Sequence, residues 1–377
     1  MPDFTDEFSL APGLRYLNHA AVAPWPKRAG EAVQRFAREN VSQGASHYPA
    51  WLQVEKRLRE RLARLLNAPH SDDIALVKNT SEALSFVAFG LDWRPGDQVV
   101  ISDEEFPSNR IVWEALQPRG VEVLQVSLAG SDPEATLLAA CGPRTRLLAI
   151  SAVQYASGLR LDLPRLGAGC RTKNVLLCVD AIQQLGAQPF DVQASDCAFA
   201  MADGHKWMLG PEGLGVFYCR SDLRDQLSLH EYGWHMLEHA GDYTRSDWTP
   251  ARSARRFECG SPNMLGAMAL EASLSLLEEV GMPRVAALIE ERVLQLQEGL
   301  QEMPGVQLHS PLESARRAGI VTFSLDGRDS QTVFKRLMEQ QVICAARGKG
   351  IRFSPHFHTT STVIEQTLGV LNQLRQG

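Results

Sequence analysis

Residues 175–206, VLLCVDAIQQLGAQPFDVQASDCAFAMADGHK, decide the fold of this chain. They contain two short apolar runs, 175–180 and 197–201, and charged or polar residues follow each run. A strand buried on both faces has this continuous apolar pattern, which a parallel sheet between two helical layers requires. Open α/β sheets bind ligands at the carboxyl ends of their strands. The residues that follow these two runs are therefore the first candidates for a functional site.

The same alternation of apolar runs and helix-period segments continues towards the N-terminus. Further strands are predicted at 74–77, 99–102, 121–126 and 147–151. Helices are predicted to begin near Thr80 and after Asp162, and to cover 108–116 and 133–140. Because repeated strand–helix units imply right-handed crossovers, we predict an α/β fold with a mostly parallel sheet flanked by helices.

The pattern changes after residue 264. Two amphipathic helices, a strand, a helix, two short strands and a last helix are predicted at 265–280, 284–303, 320–325, 331–340, about 342, about 351 and from about 361. This order is typical of a smaller α+β domain. We therefore predict an N-terminal arm (1–18) that packs on the small domain, a large domain (19–264) and a small C-terminal domain (265–377).

The composition excludes several classes of protein. The chain has 377 residues, 44% hydrophobic and 22% charged, with a net charge of −6, and its length favours two domains. The scattered basic residues argue against a nucleic-acid partner. The seven cysteines form no Cys-x-x-Cys pair, which favours reduced thiols. Since the start is acidic and no apolar stretch could cross a membrane, we expect a cytoplasmic protein without membrane contact.

Two charged residues follow the strands of the opening stretch. Asp180 ends the first strand, where a carboxylate is costly unless it meets several donors or a cation such as a protonated pyridine nitrogen. Its ordinary alternative is a turn or helix N-cap aspartate. Lys206 follows the second strand, and a desolvated lysine can lose its proton and form a Schiff base. Its ordinary alternative is a solvated surface charge.

Four more residues are candidates for ligand contacts. Thr80 and Ser81 open a helix after the strand 74–77, where free N–H groups favour a phosphate, although plain capping fits equally well. Phe106 is suited either to stacking on a flat ring or to the core. Arg352 is suited either to bidentate capture of a carboxylate or to a surface ion pair.

Two other patterns give weaker indications. The glycines in 210–215 resemble a scrambled dinucleotide fingerprint, but they precede a strand instead of opening a helix. A nicotinamide-dependent oxidoreductase is therefore a distant alternative. His235 and His239 have the i, i+4 spacing of many metal ligands, yet no carboxylate follows at ligand spacing, so no metal site is predicted.

The chain resembles the class V aminotransferase family of fold-type I pyridoxal-phosphate (PLP) enzymes in three motifs, DAIQ at 180–183, HK at 205–206 and GPEG at 210–213. That family includes cysteine desulfurases, kynureninase and isopenicillin N epimerase-like proteins, and the resemblance runs from residue 16 to residue 356. It implies PLP as the cofactor. It also implies a homodimer with active sites at the interface, because Gly260 and Ser261 would reach the phosphate of the neighbouring subunit.

The resemblance assigns roles around the cofactor ring. Lys206 would form the Schiff base and carry the proton between Cα and C4′, while Asp180 would keep the pyridine nitrogen protonated. Gln183 would hydrogen-bond to the ring hydroxyl. Phe106 and Ile182 would flank the two faces of the ring.

The resemblance also assigns residues to the two ends of the ligand. The phosphate end would be lined by Thr80, Ser81, Asp203 and His205. Asp203 takes the place of a phosphate-binding serine of many relatives, so its carboxylate is expected to turn to another partner. The substrate α-carboxylate would bind Arg352, with Asn18 or His19 nearby.

Three departures from the family pattern bear on the reaction. Phe106 stands where desulfurases usually have a histidine, and phenylalanine cannot transfer protons. Desulfurases also carry a nucleophilic cysteine on a loop between the counterparts of Arg347 and Arg352, where this chain has only Gly-Lys-Gly-Ile. Gln154 and Tyr155 replace an asparagine that contacts the ring hydroxyl in many relatives, and either residue is a candidate for that contact.

These observations predict an enzyme that acts at Cα of an amino acid, a small-molecule substrate. The first expectation is a class V aminotransferase. The alternatives are a PLP-dependent lyase that cleaves at Cβ or Cγ, like a desulfurase or kynureninase, and an amino-acid epimerase. A catalytically silent partner subunit is disfavoured because Asp180 and Lys206 are both present.

Overall fold

The computed structural model describes residues 4–376, which form two β-sheets, a separate strand pair and ten α-helices. The strands are β1 (Arg15–Tyr16), β2 (Ile74–Val77), β3 (Gln98–Ser102), β4 (Glu122–Val126), β5 (Thr145–Ser151), β6 (Leu176–Asp180), β7 (Phe199–Asp203), β8 (Gly215–Cys219), β9 (Val306–Leu308), β10 (Val321–Leu325), β11 (Val342–Ile343), β12 (Ala345–Arg347) and β13 (Gly350–Phe353). The helices are α1 (Lys27–Gln43), α2 (Tyr48–Leu66), α3 (Thr80–Gly90), α4 (Ser108–Glu114), α5 (Pro133–Ala140), α6 (Leu163–Thr172), α7 (Met264–Val280), α8 (Met282–Gln301), α9 (Ser330–Glu339) and α10 (Ser361–Gln376).

The larger sheet has seven strands in the order β2-β8-β7-β6-β5-β3-β4. Strands β7, β6, β5, β3 and β4 run parallel, whereas β8 is antiparallel to both of its neighbours. The connection from β7 to β8 contains no helix to carry a crossover, so the chain returns in the opposite direction. The prediction of a mostly parallel sheet flanked by helices, the fold-type I arrangement, is confirmed.

The apolar strands are buried on both faces because helices cover both sides of this sheet. Successive residues of β5 point alternately into the two hydrophobic layers, with Leu147 and Ala149 in one layer and Leu148 and Ile150 in the other. Every residue of β7 and β8 is buried. This continuous burial explains the unbroken apolar runs of the sequence.

The C-terminal part contains the smaller sheet, an antiparallel arrangement in the order β12-β13-β10-β9. Helix α8 packs on β9 and β10, and α10 packs on α8. Strand β1 pairs in parallel with β11, and Asn18 forms a β-bridge with Ser354. The end of the N-terminal arm therefore lies along the C-terminal strands.

The domain boundaries at 18 and 264 stay a prediction, and residues 1–3 and 377 lie outside the described residues. Helix α7 begins at the predicted second boundary, but it packs against α1 and α2 from the N-terminal half of the chain. Within residues 4–376 no helix has the length and apolar character needed to cross a membrane. All seven cysteines are free thiols.

Candidate active site

A cavity of about 290 Å³ lies at the carboxyl ends of β6 and β7, beside the first turn of α3. It brings together most of the residues that the sequence singled out, which are Thr80, Ser81, Phe106, Asp180, Ile182, Gln183, Asp203, His205, Lys206 and Arg352. Its position is the edge at which parallel α/β sheets bind ligands. We refer to it as the Lys206 cavity.

Asp180 is the last residue of β6, and its side chain is buried in the floor of the Lys206 cavity. Its Oδ1 accepts a hydrogen bond from the Ile182 N–H at 3.0 Å. Burial raises the pKa of this carboxyl, and the nearby Lys206 amine opposes that shift. A carboxylate with so little solvation is stabilised by a cation placed next to it.

Lys206 follows β7 by three residues and is only 9% exposed. Burial lowers the pKa of its amine, which favours the uncharged form that nucleophilic attack on an aldehyde needs. Its Nζ lies 5.6 Å from the centre of the Phe106 ring, and Phe106 is 40% exposed. The next residue, Trp207, is fully buried and so holds the lysine backbone in place.

The amide of Gln183 has a fixed orientation because two neighbours contact it. Trp207 Nε1 donates to Gln183 Oε1 at 2.9 Å, which identifies that atom as the oxygen. Gln183 Nε2 donates one hydrogen to the Ala20 carbonyl at 3.0 Å. An amide nitrogen has a second hydrogen, so Gln183 retains one donor for a ligand in the cavity.

One end of the Lys206 cavity is suited to an anion. Helix α3 begins there with Thr80, and Asn79 caps it by accepting the Glu82 N–H at 3.0 Å. Thr80 Oγ1 is buried and makes no hydrogen bond to any residue in 4–376. Asp203 Oδ1 lies 3.1 Å from His205 Nδ1, so this carboxylate turns to the histidine. Helix N–H groups and open donors of this kind bind phosphate.

The cavity is also lined by a buried guanidinium. Arg352 lies on β13, is 1% exposed and donates from Nη1 to the Tyr155 carbonyl at 2.7 Å. Its Nε has no hydrogen-bond partner in the described chain, and no carboxylate there comes within 4.0 Å of it. Burial and the neighbouring Arg347 lower its pKa. A buried cation without a counter-ion calls for an anionic ligand.

Seven of the described residues that line the cavity were not among the predicted site residues, namely Ala20, Ala21, Val22, Asn79, Ser108, Tyr155 and Arg347. Arg347 and Tyr155 both line it, while the side chain of Gln154 turns away towards Glu105 at 3.4 Å. Of the two candidates for the contact with the ring hydroxyl, Gln154 and Tyr155, it is Tyr155 that lines the cavity. Arg347 pairs with Gly350 across the hairpin, and Gly350 and Arg352 are two residues apart on the same strand. Since side chains two residues apart point to the same face of a strand, the spacing was a signal that Arg347 and Arg352 share one face.

The predicted substrate contacts of Asn18 and His19 stay a prediction, and the structure places both residues beside the Lys206 cavity lining. His19 is fully buried outside the Lys206 cavity, with its ring nitrogens 2.8 Å from the Ser354 carbonyl and 3.1 Å from His358 Nε2. Burial lowers its pKa to about 4. Asn18 is held by its backbone bridge to Ser354, and its side chain does not line the cavity either. The next three residues, 20–22, line the cavity instead.

Gly260 and Ser261 lie apart from the Lys206 cavity. They line a separate cavity of about 320 Å³ together with Lys78, Glu231 and Asn263. Their predicted phosphate contact within a neighbouring subunit stays a prediction.

His235 and His239 do not lie on a helix, so their i, i+4 spacing does not bring them onto one face. His235 is buried near Glu55 and Glu258. Both carboxylates form ion pairs with Arg59, which supplies the cation there.

The polar groups of the Lys206 cavity fit pyridoxal phosphate. Asp180 is a buried carboxylate that needs a cation, Lys206 is a buried amine, and the Thr80 hydroxyl is buried without a partner where His205 also lines the cavity. The carboxylate is suited to the pyridine nitrogen of the cofactor, the amine to its aldehyde, and the polar groups of Thr80 and His205 to its phosphate. The fold and the cavity together define a PLP-dependent enzyme of fold type I.

Comparison with known proteins identifies the family. The family model for aminotransferase class-V matches residues 15–364, and the chain belongs to that family. Its sequence is 30% identical to the probable cysteine desulfurase of Methanothermobacter thermautotrophicus, over 93% of this chain and 92% of that protein.

Two solved structures of the protein C-DES have the same fold. One is a mutant with glycine covalently linked to its PLP cofactor; it has 25% identity and a TM-score of 0.91 and covers 99% of both chains. The other is a complex between the cystine C–S lyase C-DES and its reaction product cysteine persulfide. It has 26% identity and a TM-score of 0.89 and covers 96% of this chain and 98% of that chain.

Replacing Arg352 by glutamine is expected to lower kcat/KM for an amino-acid substrate by about 100-fold or more, because a buried charge pair with the α-carboxylate is lost. The same change removes a desolvated cation, so we expect the Tm of the cofactor-free protein to rise. Steady-state kinetics and thermal unfolding measure the two effects. Arg144→Gln, which removes only a surface pair with Glu122, is the control. A lower Tm with unchanged kcat/KM would assign Arg352 a purely structural role.

Proposed function

We propose that this chain is a PLP-dependent lyase that cleaves the Cβ–S bond of a cysteine-derived amino acid by elimination, with L-cystine as the first candidate substrate. The main support for this proposal is that the described residues lining the Lys206 cavity include no cysteine. A desulfurase passes sulfur to a cysteine of its own, whereas an elimination releases sulfur on a small molecule. The lyase needs no protein thiol.

The hairpin between Arg347 and Arg352 supports this proposal. Strands β12 and β13 are joined by a turn of two residues, 348 and 349, and Arg347 pairs with Gly350. Such a tight turn leaves no room for a loop that carries a cysteine to the substrate.

The existing thiols are also poorly suited to attack. Cys344 is buried, and burial raises its pKa to about 12. Cys259 lies outside the Lys206 cavity, where burial and the Glu231 carboxylate raise its pKa. Because the thiolate is the reactive form, neither group is activated as a nucleophile.

The chain offers a group for each end of the cofactor and the substrate. Thr80, Ser81 and His205 would hold the phosphate, and Asp180 would face the pyridine nitrogen. When bound, PLP supplies the electron sink for the pair released at Cα. Arg352 would hold the substrate α-carboxylate.

Lys206 takes the proton from Cα, and the Cβ–S bond breaks with its electron pair on sulfur. Overall, R–S–CH2–CH(NH3⁺)–CO2⁻ and water give R–SH, pyruvate and ammonium. For L-cystine, R–SH is cysteine persulfide.

The names of the relatives favour the lyase alternative over the aminotransferase that the sequence put first. The matched proteins are a probable cysteine desulfurase and a cystine C–S lyase, and both names describe the release of sulfur from an amino acid. A homodimer is part of the same proposal. Since Gly260 and Ser261 are absent from their own Lys206 cavity, a neighbouring subunit is the place where they would contact phosphate.

Incubation of the PLP-loaded protein with L-cystine is expected to give pyruvate and cysteine persulfide in equal amounts. Pyruvate is measured with lactate dehydrogenase and persulfide by cyanolysis. Cys259→Ala, which removes the most accessible thiol, is expected to keep the wild-type rate. Alanine formation from L-cysteine with sulfur retained on the protein would instead identify a desulfurase. Alanine formation from pyruvate and an amino donor would identify an aminotransferase.

A further inference from the structure

Tyr155 borders the Lys206 cavity beside two groups that define where a substrate lies. Its ring meets the Phe106 ring edge-on, with 5.2 Å between centroids and 83° between planes. Its carbonyl accepts the Arg352 hydrogen bond at 2.7 Å. The Lys206 amine approaches the same Phe106 ring at 5.6 Å. Tyr155 therefore lies close to the cation for the α-carboxylate and to the ring beside the reactive amine.

The turn that carries Tyr155 is held firmly. The Gly158 N–H donates to the Gln154 carbonyl at 2.9 Å, and Thr322 Oγ1 of β10 donates to the Ala156 carbonyl at 2.6 Å. Ser157 Oγ donates to Glu104 at 2.6 Å. In contrast, the Tyr155 hydroxyl makes no hydrogen bond with any residue in 4–376. An open hydroxyl on a well-held turn can act on a ligand without first breaking another contact.

The other proton donors of the cavity are assigned to the phosphate, as Thr80 and His205 are, or are engaged elsewhere or are poor acids. Ser81 Oγ donates to Ser108 Oγ at 2.9 Å, and the remaining amide hydrogen of Gln183 can form a hydrogen bond but is far too weak an acid to give up its proton. Lys206 has the Cα proton to carry. Arg347 is a guanidinium, which does not release its proton in proteins. Phe106 has none to give.

From these contacts we infer that Tyr155 is a catalytic residue whose hydroxyl protonates the departing sulfur, a role that rests on the C–S lyase proposed above. As the Cβ–S bond breaks, R–S⁻ takes the hydroxyl proton and leaves as R–SH. The phenolate that remains regains a proton from water, so the residue is unchanged after each turnover. The guanidinium groups of Arg347 and Arg352 line the same cavity and stabilise the phenolate.

The inference is tested with two small substrates that differ in their need for a proton. S-Methyl-L-cysteine releases a basic thiolate, whereas β-chloro-L-alanine releases chloride, which leaves unprotonated. We expect Tyr155→Phe to lower kcat about 100-fold or more with S-methyl-L-cysteine and to change it less than about 3-fold with β-chloro-L-alanine. Tyr243→Phe, at an exposed tyrosine outside the cavity, serves as the control.

The visible absorbance of the PLP-loaded Tyr155→Phe protein gives a readout that does not depend on turnover. We expect its spectrum and PLP content to match the wild type. A shifted or missing band, or equal losses with both substrates, would overturn the proton-donor role and make Tyr155 a cofactor or substrate contact. A wild-type protein that eliminates chloride but releases no thiol from any cysteine derivative would overturn the lyase itself, and the inference with it.

Discussion

Replacement of Lys206 by alanine will lower pyruvate formation from L-cystine by about 10⁴-fold, the upper end of what proton transfer contributes to catalysis. The loss is this large because one side chain would have two roles. Lys206 is the buried amine beside Asp180 and Phe106, so it would both join PLP covalently and take the Cα proton. No second lysine lines the described cavity to replace it.

The absorbance spectrum separates this result from a folding defect. Lys206→Ala incubated with PLP should lack the visible band that borohydride bleaches, while its far-UV circular dichroism matches the wild type. Lys56→Ala, at an exposed lysine of α2, should keep both the band and the rate. A Lys206→Ala protein with a borohydride-sensitive band of normal intensity would show that a different lysine carries the cofactor.

The strands of the larger sheet were predictable because their burial is visible in the sequence. Strands β2 and β6 were predicted to within one residue, since both faces of a central strand are apolar. The direction of β8 was not predictable, because its composition is the same whether it runs parallel or antiparallel. Helix α1 was not predicted at all. Its apolar residues Ala29, Val33 and Phe36 recur at helical spacing, so the pattern was present in the sequence although it was not used.

The same distinction applies to the candidate site. Asp180 and Lys206 were found because they follow buried strands, a position that local sequence reveals. Tyr155 comes to the cavity through long-range contacts, which local sequence does not show. The pairing of β13 with β10 places Arg352 opposite Thr322, and Thr322 holds the turn that carries Tyr155.

Asn18 and His19 are positioned by long-range strand pairing, and their predicted substrate contacts stay a prediction. The parallel pairing of β1 with β11 fixes the direction in which the arm crosses the C-terminal strands. The His19 ring then packs near Trp207 and His358, behind the residue next to Lys206. His19 therefore supports the segment that carries Lys206 and Trp207. The spacing of residues along the sequence could not distinguish this position from a substrate contact.

Asp180→Asn is expected to lower kcat for L-cystine about 10²- to 10³-fold while PLP stays attached to Lys206. Asparagine has nearly the shape of aspartate, and its side-chain oxygen can still accept the Ile182 N–H. It has no charge, however, so a protonated pyridine nitrogen is no longer stabilised and the electron sink weakens. Asp180→Asn should therefore lose most of its activity while PLP stays attached, whereas Lys206→Ala should lose both the activity and the attached PLP.

The pH dependence of stability provides the decisive second measurement for Asp180. In the cofactor-free protein, burial raises the pKa of this carboxyl, so the folded chain binds the proton more tightly than the unfolded chain does. Ionisation therefore costs stability as the pH rises above the ordinary aspartate range. Cofactor-free Asp180→Asn should then have a higher Tm than the wild type at pH 8 and nearly the same Tm at pH 4. Asp326→Asn, at an exposed carboxylate, should show no such divergence. With PLP bound, the wild type should have the higher Tm at pH 8, because the Asp180 carboxylate then has the ring nitrogen as its cation. If Asp180→Asn has the higher Tm both with and without PLP, Asp180 does not face the ring nitrogen.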